Sequence, residues 1–285
     1  MKKGILSVAA AIVIAIFGFL GVTPSHNEII YSPDGKMHVY YLDVGQADSI
    51  FIVLPDGENM LIDAGNKENG EQISSTIRKM GFDKIDTLIA THPHADHIGG
   101  METVVRALDI GRIYMTNAIS NTATYEKLLL AIKEKEYKIS TARAGVEIIK
   151  NEDVTAEFVA PVADSYEDTN NYSAMVKLTH GENVFMFTGD GEKKAEDLIR
   201  TNIKCDVLKA GHHGSDSSTS KNFLKKTEPK YAVISCGAGN DYGHPHSKVL
   251  ERLAERNIKV YRTDINGTIE AVSDGVSITF NTEKE

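Results

Sequence analysis

Short apolar segments separated by polar turns recur along most of the chain. Three early ones, His38–Asp43, Ser49–Leu54 and Asn59–Asp63, are rich in β-branched and aromatic residues, and this composition predicts three strands. The tripeptide Pro55-Asp56-Gly57 lies between the second and third segments and is typical of a turn. The pattern therefore predicts that these two strands form a hairpin.

Segments with helical spacing of apolar residues alternate with further short strands in the rest of the chain. Predicted helices cover 71–80, 100–108, 124–136, 192–200, 220–226 and 248–256, and predicted strands cover 86–90, 111–115, 146–149, 154–160, 173–179, 184–187, 206–210, 231–235, 259–262 and 268–272. The segment His180-Gly181-Glu182-Asn183 predicts a second hairpin turn, and we expect His180 to lie at the surface. Hairpins among helices favour an α/β (mixed α+β) fold of two mixed sheets with helices outside, rather than a doubly wound parallel sheet.

The N-terminal residues differ from the rest of the chain. Lys2-Lys3 precedes an apolar stretch, Ile5–Leu20, which is typical of an export signal or membrane anchor rather than of a buried core helix. We therefore predict a signal peptide or N-terminal membrane anchor over 1–26, a linker over 27–36 and one folded domain over 37–285. The lysine pair indicates that the domain is extracytoplasmic, either secreted or held at the membrane by this segment.

The composition is that of an ordinary globular chain, with 41% hydrophobic and 25% charged residues. There are 31 Lys and Arg against 40 Asp and Glu, and this formal charge of −9 argues against binding a long nucleic-acid track by bulk attraction. The two cysteines, Cys205 and Cys236, cannot form a disulfide framework. The sequence contains no phosphate-cradling glycine loop, so we expect no nucleotide cofactor.

The segment His92-Pro93-His94-Ala95-Asp96-His97 carries the strongest chemical signal. Three imidazoles and one carboxylate lie within six residues, directly after a predicted strand. Nitrogen ligands combined with a carboxylate suit Zn²⁺, Mn²⁺ or iron rather than Ca²⁺. The segment therefore predicts a metal site.

Further candidate ligands follow later predicted strands, at junctions where loops are held by a rigid sheet. Asp190 ends one strand and could bridge two ions, which is the arrangement used for attack on phosphate esters. The pairs His212-His213 and His244-His246 follow the next two strands. Adjacent residues should point in different directions, so we expect only one of His212 and His213 to bind metal. Asp63 is interpreted as a residue that orients a ligand histidine.

The six-residue cluster resembles the signature of the metallo-β-lactamase superfamily. Four flanking segments resemble those of the ComEC competence-protein subfamily: 41–49, 63–65, 208–215 and 242–246. The resemblance covers roughly 37–280 and implies a four-layer αββα metallo-β-lactamase sandwich with a two-metal site at one sheet edge. The chain resembles the exported, stand-alone hydrolase domains of this subfamily, which lack the membrane channel.

The resemblance also implies roles for individual residues. It assigns His92, His94 and His212 to one metal ion, Asp96, His97 and His246 to the other, and Asp190 as the bridge. Predicted catalytic residues are Asp96, His213 and His244, with one of the two histidines protonating the leaving alkoxide. Predicted supporting residues are Asp63, Asn171 and Ser173. The choices of His212 over His213 and of His246 over His244 remain open at this point.

Two departures from the family pattern stand in the sequence. Ala47 replaces the usual glycine after Gln46, which is a small change in a turn. The superfamily commonly has a metal-binding histidine between the first cluster and the bridging aspartate, and here only His180 lies between them. Asn170-Asn171-Tyr172-Ser173 occupies that region instead, as it does in the subfamily.

The expected function is that of an exported hydrolase with two divalent metal ions, Zn or Mn. A hydroxide activated by two metals would attack a phosphodiester, either DNA or a teichoic-acid-like wall polymer. One alternative is a lactam or lactone hydrolase on the same fold. Another is a non-catalytic surface binding protein stabilised by its metal.

Overall fold

The computed structural model describes residues 33–285. The predicted signal peptide or anchor over 1–26 lies outside the described residues, as does most of the predicted linker. Among residues 33–285, no helix has both the length and the apolar character needed to cross a bilayer.

Fifteen strands are found in this part of the chain. In chain order they are β1 (Met37–Tyr41), β2 (Ile50–Val53), β3 (Asn59–Ile62), β4 (Lys84–Ala90), β5 (Asp109–Met115), β6 (Ile139–Thr141), β7 (Glu147–Lys150), β8 (Val154–Ala160), β9 (Met175–His180), β10 (Asn183–Phe187), β11 (Val207–Lys209), β12 (Tyr231–Ile234), β13 (Lys259–Arg262), β14 (Ile269–Ser273) and β15 (Ile278–Thr282).

Eight α-helices connect these strands within the same residues. They are α1 (Asn69–Lys79), α2 (Ala95–Ile98), α3 (Met101–Ala107), α4 (Ala123–Glu134), α5 (Lys193–Leu198), α6 (Lys221–Thr227), α7 (Ser247–Ala254) and α8 (Thr263–Asn266). Short 3-10 turns cover Thr169–Tyr172 and His212–Gly214.

The strands form two mixed sheets, as the hairpin and helix pattern predicts. One sheet has eight strands in the order β15-β14-β1-β2-β3-β4-β5-β6, and the other has seven in the order β13-β12-β11-β10-β9-β8-β7. The predicted hairpins β2–β3 and β9–β10 are both antiparallel pairs. Strands β3 to β6 run parallel in the first sheet, and β10 to β13 run parallel in the second.

The two sheets pack face to face. Side chains from both inner faces, among them Tyr41, Ile52, Phe158, Phe185 and Phe187, form one buried apolar cluster. Alternation along β1 explains this packing, because Met37, Val39 and Tyr41 share the inner face of the strand. Burial of this apolar area is the main stabilising contribution to the sandwich.

Helices cover the two outer faces and complete the four-layer αββα sandwich. Apolar residues of α1, α3 and α4, such as Ile73, Val104 and Leu128, pack on the outside of the first sheet. Residues of α5, α6 and α7, such as Phe223 and Leu253, pack on the outside of the second. Central strands are therefore buried on both faces, and β2 and β3 have no exposed position.

Four elements have no counterpart in the sequence prediction: β6, β15, α2 and α8. Strand β6 is exposed at each of its residues, so no apolar alternation marks it, and only its pairing with β5 defines it. The prediction that His180 lies at the surface is wrong. His180 is buried, and its Nδ1 lies 2.9 Å from the hydroxyl of Ser273, because the β9–β10 turn packs against the turn after β14.

Candidate metal centre

The His92–His97 segment leaves β4 directly and lies where the two sheets meet. The amide of Ala174, directly before β9, donates to the carbonyl of Thr91 over 3.0 Å, which ties this segment to the second sheet. His92 and His97 are buried, while His94 is exposed. His92 Nε2 lies 3.0 Å from His94 Nδ1, so both rings present a nitrogen to the same point.

Asp190 lies at the centre of the cluster, after the end of β10. Its Oδ1 is 3.2 Å from His97 Nε2. Its Oδ2 is 4.0 Å from His92 Nε2, 3.7 Å from His212 Nε2 and 3.6 Å from His213 Nε2. Both oxygens of this carboxylate therefore face candidate ligand atoms, so Asp190 could contact two ions.

His212 and His213 both approach Asp190, although the sequence analysis expects only one of the two to bind metal. Both residues have left-handed backbone, with φ of 50° and 51°, instead of the alternating extended conformation that sends neighbours in opposite directions. Such conformations cost about 1–3 kcal/mol each and are concentrated at functional sites. His213 Nε2 also lies 3.1 Å from Asp96 Oδ2.

We assign the candidate ligand residues to two groups around Asp190. The first ligand group is His92, His94 and His212, and the second is Asp96, His97 and His213. Ligand atoms of the second group and Asp190 all lie within 4.8 Å of one another.

The chemistry of this cluster fits divalent cations. His97 Nε2 and Asp190 Oδ1 are buried atoms without a hydrogen-bond partner among residues 33–285, although they face each other. A buried polar atom without a partner is costly, and a cation between the two would satisfy both. Imidazole and carboxylate donors suit Zn²⁺, Mn²⁺ and iron.

Neighbouring groups fix the orientation of the ligand rings. His97 Nδ1 donates to Asp63 Oδ2 over 2.7 Å, and Asp63 in turn accepts from the amide of Thr91 over 2.9 Å. His213 Nδ1 donates to the carbonyl of Ser235 over 3.0 Å. These contacts direct the Nε2 atoms of both histidines into the cluster, where they can bind a cation. The structure thus places Asp63 behind His97, where the sequence predicts an orienting residue.

Ser173 and Asn171 lie at different distances from the ligands. The hydroxyl of Ser173 accepts from the amide of Asp190 over 3.1 Å and lies 3.4 Å from His92 Nδ1. Asn171 contacts α5 instead, because its Oδ1 accepts from the amide of Ala195 over 3.1 Å. Ser173 can therefore support the bridge directly, whereas Asn171 positions the helix that follows it.

His246 lies apart from the ligand groups, and this changes the assignment made from the sequence. Its Nδ1 accepts from the amide of Asp216 over 3.1 Å, and its Nε2 donates to the carbonyl of Tyr242 over 3.2 Å. Both ring nitrogens are thus engaged by backbone, and the position beside Asp96 is taken by His213. The assignment of His246 as a ligand, and of His213 as a proton donor, is therefore replaced by His213 as the candidate ligand.

His244 lies at the rim of the cluster. Its ring centroid is 5.6 Å from that of His212 and 6.4 Å from that of His213. The Gln46 side chain accepts from the amide of Gly237 over 3.0 Å, so its NH₂ group faces His244 Nδ1 at 3.3 Å. His244 Nδ1 is then an acceptor, and the ring proton is on Nε2.

Burial and mutual charge together shift the pKa values in the cluster. Burial and the charge of His97 lower the pKa of His92 well below its usual value, which leaves a neutral ring. Burial raises the pKa of Asp190, but the charges of His97 and His213 outweigh it and hold that pKa well below the usual range. Burial lowers the pKa of His97, but Asp190 and Asp96 raise it well above the usual value. Metal binding must displace such protons.

Burial is also the largest single influence on the pKa values of two further histidines, His213 and His244. It lowers the pKa of His213, but the charges of Asp190 and Asp48 outweigh it and raise this pKa to about 10. Burial and the charges of His212 and His213 lower the pKa of His244 to about 4. The ring of His244 is therefore neutral near pH 7.

Asp48 and Lys209 complete the base of the site, and neither was predicted from the sequence. Both side chains are buried, and Lys209 Nζ donates to Asp48 Oδ2. The other oxygen, Asp48 Oδ1, lies 3.4 Å from His213 Nδ1. A lysine as the third residue of an otherwise apolar strand, Val207–Lys209, was the available signal.

Comparison with known proteins identifies the family of this chain. Residues 42–238 match the Metallo-beta-lactamase superfamily.

The chain is 34% identical over 259 residues to ComE operon protein 3 of Bacillus subtilis, and the match covers 84% of this chain and 33% of that protein. It is 27% identical over 263 residues to Competence protein ComA of Neisseria gonorrhoeae, covering 90% of this chain and 35% of that protein. It is 29% identical over 234 residues to Recombination protein 2 of Haemophilus influenzae, covering 80% of this chain and 28% of that protein. The chain thus spans roughly a third of the length of these relatives.

Solved structures share the fold at low sequence identity. The metallo-beta-lactamase fold protein YhfI from Bacillus subtilis superposes with a TM-score of 0.51 at 12% identity, over 79% of this chain and 95% of that one. CmlA, a diiron β-hydroxylase from Streptomyces venezuelae, gives a TM-score of 0.51 at 14% identity, over 81% and 53%. The family match over residues 42–238 contains every residue of both ligand groups, and the chain therefore belongs to the metallo-β-lactamase superfamily, with ComEC-like competence proteins as its relatives.

Proposed function

We propose that this protein is a phosphodiesterase that requires two divalent metal ions, Zn²⁺ or Mn²⁺. The observation that carries the proposal is that both oxygens of Asp190 face candidate ligand atoms. One of its oxygens is 3.2 Å from His97 Nε2, and the other is 3.7 Å from His212 Nε2. A carboxylate bridge of this kind holds two ions roughly 3.5–4 Å apart, as phosphatases and nucleases do.

Each ligand group would hold one ion. His92, His94 and His212 would hold the first, Asp96, His97 and His213 the second, and Asp190 both. Such a pair of ions lowers the pKa of bound water and neutralises the charge that develops on a phosphate during attack. Asp63 and the carbonyl of Ser235 keep the protons of His97 and His213 on Nδ1, so that their Nε2 atoms stay free for the ions.

His244 would contact the substrate from the rim. Gln46 holds its Nδ1 as an acceptor, so its Nε2–H can donate to a phosphate or leaving-group oxygen. Because its pKa is lowered to about 4, the ring acts as a neutral hydrogen-bond donor near pH 7 rather than as a general acid.

DNA is the first substrate to test, and a wall-polymer phosphodiester is the second. Relatives named for competence and for recombination support DNA. The net charge of −9 opposes long contacts with a phosphate backbone, so we expect short contacts and modest affinity.

The test compares metal-loaded wild-type protein with His92→Ala and Asp190→Asn on bis-p-nitrophenyl phosphate, single-stranded DNA, teichoic acid and nitrocefin. We expect turnover of a phosphodiester by the wild type, and its loss in both variants while their circular dichroism spectra stay unchanged. Turnover of nitrocefin alone would establish the lactam alternative instead. Metal binding without turnover of any of the four substrates would favour the non-catalytic binding protein.

We also propose that the domain acts outside the cytoplasmic membrane, on the basis of Lys2-Lys3 and the apolar stretch Ile5–Leu20. Fractionation of cells that express the full chain or a chain lacking residues 1–26 tests this. Export of the full chain with cytoplasmic retention of the shortened one supports the proposal, and cytoplasmic location of both contradicts it.

A further inference from the structure

Tyr242 is a solvent-exposed aromatic residue beside the candidate metal centre. Its exposed fraction is 69%, which is high for a large ring. It lies in the loop 237–246, between β12 and α7, at the sheet edge that carries the ligands.

A series of near-parallel rings connects Tyr242 with the ligands. The rings of Tyr242 and His244 are inclined by 22°, with centroids 5.7 Å apart. The rings of His244 and His213 are inclined by 26°, with centroids 6.4 Å apart. A planar group laid on Tyr242 would therefore continue a stack that leads to the second ligand group.

Hydrogen bonds hold the backbone of the loop that carries Tyr242. Asn240 accepts from the amides of Tyr242 over 3.2 Å and of His244 over 3.0 Å, and it donates to the carbonyl of Gly237 over 2.8 Å. His246 Nε2 donates to the carbonyl of Tyr242 over 3.2 Å. The backbone that carries the exposed ring is thus held in place, which lowers the entropic cost of stacking a ligand on the ring.

We propose that Tyr242 is a stacking platform for a nucleobase, and that it selects nucleic-acid strands among phosphodiesters. This inference rests on the phosphodiesterase function proposed above. Base–aromatic stacking tolerates every base sequence and adds affinity without positive charge, which suits a chain with a net charge of −9. A glycerol- or ribitol-phosphate polymer has no planar group to place there.

The experiment uses the metal-loaded full chain and two substrates with the same phosphodiester backbone. One is an oligothymidylate, and the other has abasic tetrahydrofuran units in place of the thymidines. The variants are Tyr242→Ala and Tyr242→Phe, with Val276→Ala as the control. Val276 is 72% exposed and follows β14, near the start of β10 and away from Asp190.

We expect Tyr242→Ala to lower kcat/KM for oligothymidylate by about 5- to 150-fold, the range for loss of one stacked base. Hydrolysis of the abasic strand should not change, and Tyr242→Phe and Val276→Ala should match the wild type on both substrates. Equal effects of Tyr242→Ala on both strands, or none on either, would overturn the proposal; the second result would fit a protein partner on the exposed ring.

A binding measurement separates this proposal from the failure of the proposed function. In the His92→Ala background, we expect an oligonucleotide that contains 2-aminopurine to lose fluorescence on binding, and to lose none when Tyr242→Ala is added. If neither the wild type nor any variant cleaves either strand, the phosphodiesterase proposal fails. The fluorescence quenching still decides in that case whether Tyr242 stacks on a base. Equal quenching with and without Tyr242 would reject the platform.

Discussion

His97 Nε2 lies 3.2 Å from Asp190 Oδ1, yet neither of these buried atoms has a hydrogen-bond partner in the part of the chain that the structure describes. A buried polar atom without a partner costs about 1–3 kcal/mol. A divalent cation at this position would be a ligand partner to both atoms at once. The relationship between these two residues is thus what a candidate metal centre would show without its ion.

Metal should therefore stabilise the fold. We expect Zn²⁺ or Mn²⁺ at about 100 times its Kd to raise the free energy of unfolding by about 2.7 kcal/mol, and Asp190→Asn to lose most of this gain. Thermal unfolding with and without metal measures this gain in stability. The control is Asp216→Asn, which changes an exposed carboxylate paired with Lys248. An equal gain in wild type and Asp190→Asn would place the metal elsewhere.

The second ligand group can be tested by counting ions. We expect His213→Ala to bind about one metal ion fewer per chain than the wild type, because His213 Nε2 lies 3.1 Å from Asp96 Oδ2. His246→Ala should bind as many as the wild type, because both nitrogens of His246 are engaged by backbone groups. Mass spectrometry of the metal content gives the numbers. Loss of an ion from His246→Ala alone would restore the assignment made from the sequence.

Lys209 and Asp48 should be coupled strongly. Lys209→Met leaves the Asp48 carboxylate buried without its lysine partner, and removing one partner of a buried ion pair costs about 3–5 kcal/mol. Urea unfolding of metal-free protein measures the loss. The double variant Lys209→Met/Asp48→Asn should lose less than the sum of the two single variants, and strict additivity would show that the pair is not coupled.

Glu196 should make the stability depend on pH. Burial raises its pKa from 4.5 to about 7 in the folded protein, although it accepts from the amides of Thr219 and Ser220. The folded state therefore binds the proton more tightly than the unfolded state, so this stabilisation is full below pH 4.5 and is lost as the pH rises through 7.

We expect Glu196→Gln, which keeps an acceptor without charge, to gain stability over the wild type as the pH rises from 5 to 8, by on the order of 3 kcal/mol. Denaturant unfolding at several pH values measures the difference. Glu126→Gln, at an exposed position of α4, is the control. A difference that does not change with pH would show that Glu196 keeps an ordinary pKa.

Local patterns identified most of the fold because the relevant interactions lie close together in the chain. The Pro55-Asp56-Gly57 turn joins two apolar segments, and the strands on either side pair as predicted. The cluster from His92 to His97 was recognisable for the same reason, since four side chains that can bind a metal ion lie within six residues. Edge strands such as β6 were not predicted, because their residues are exposed and only pairing with a neighbouring strand defines them.

The sequence by itself determined the sandwich, the metal chemistry and the residues available for it. Only the tertiary structure decided which of them meet. His213 replaces His246 because backbone groups of Asp216 and Tyr242 occupy both nitrogens of His246. Asp48 and Lys209 are 161 residues apart in the chain, and their pairing depends on the packing of the two sheets. Contacts of this kind follow from the whole fold and leave no periodicity in the sequence that could reveal them.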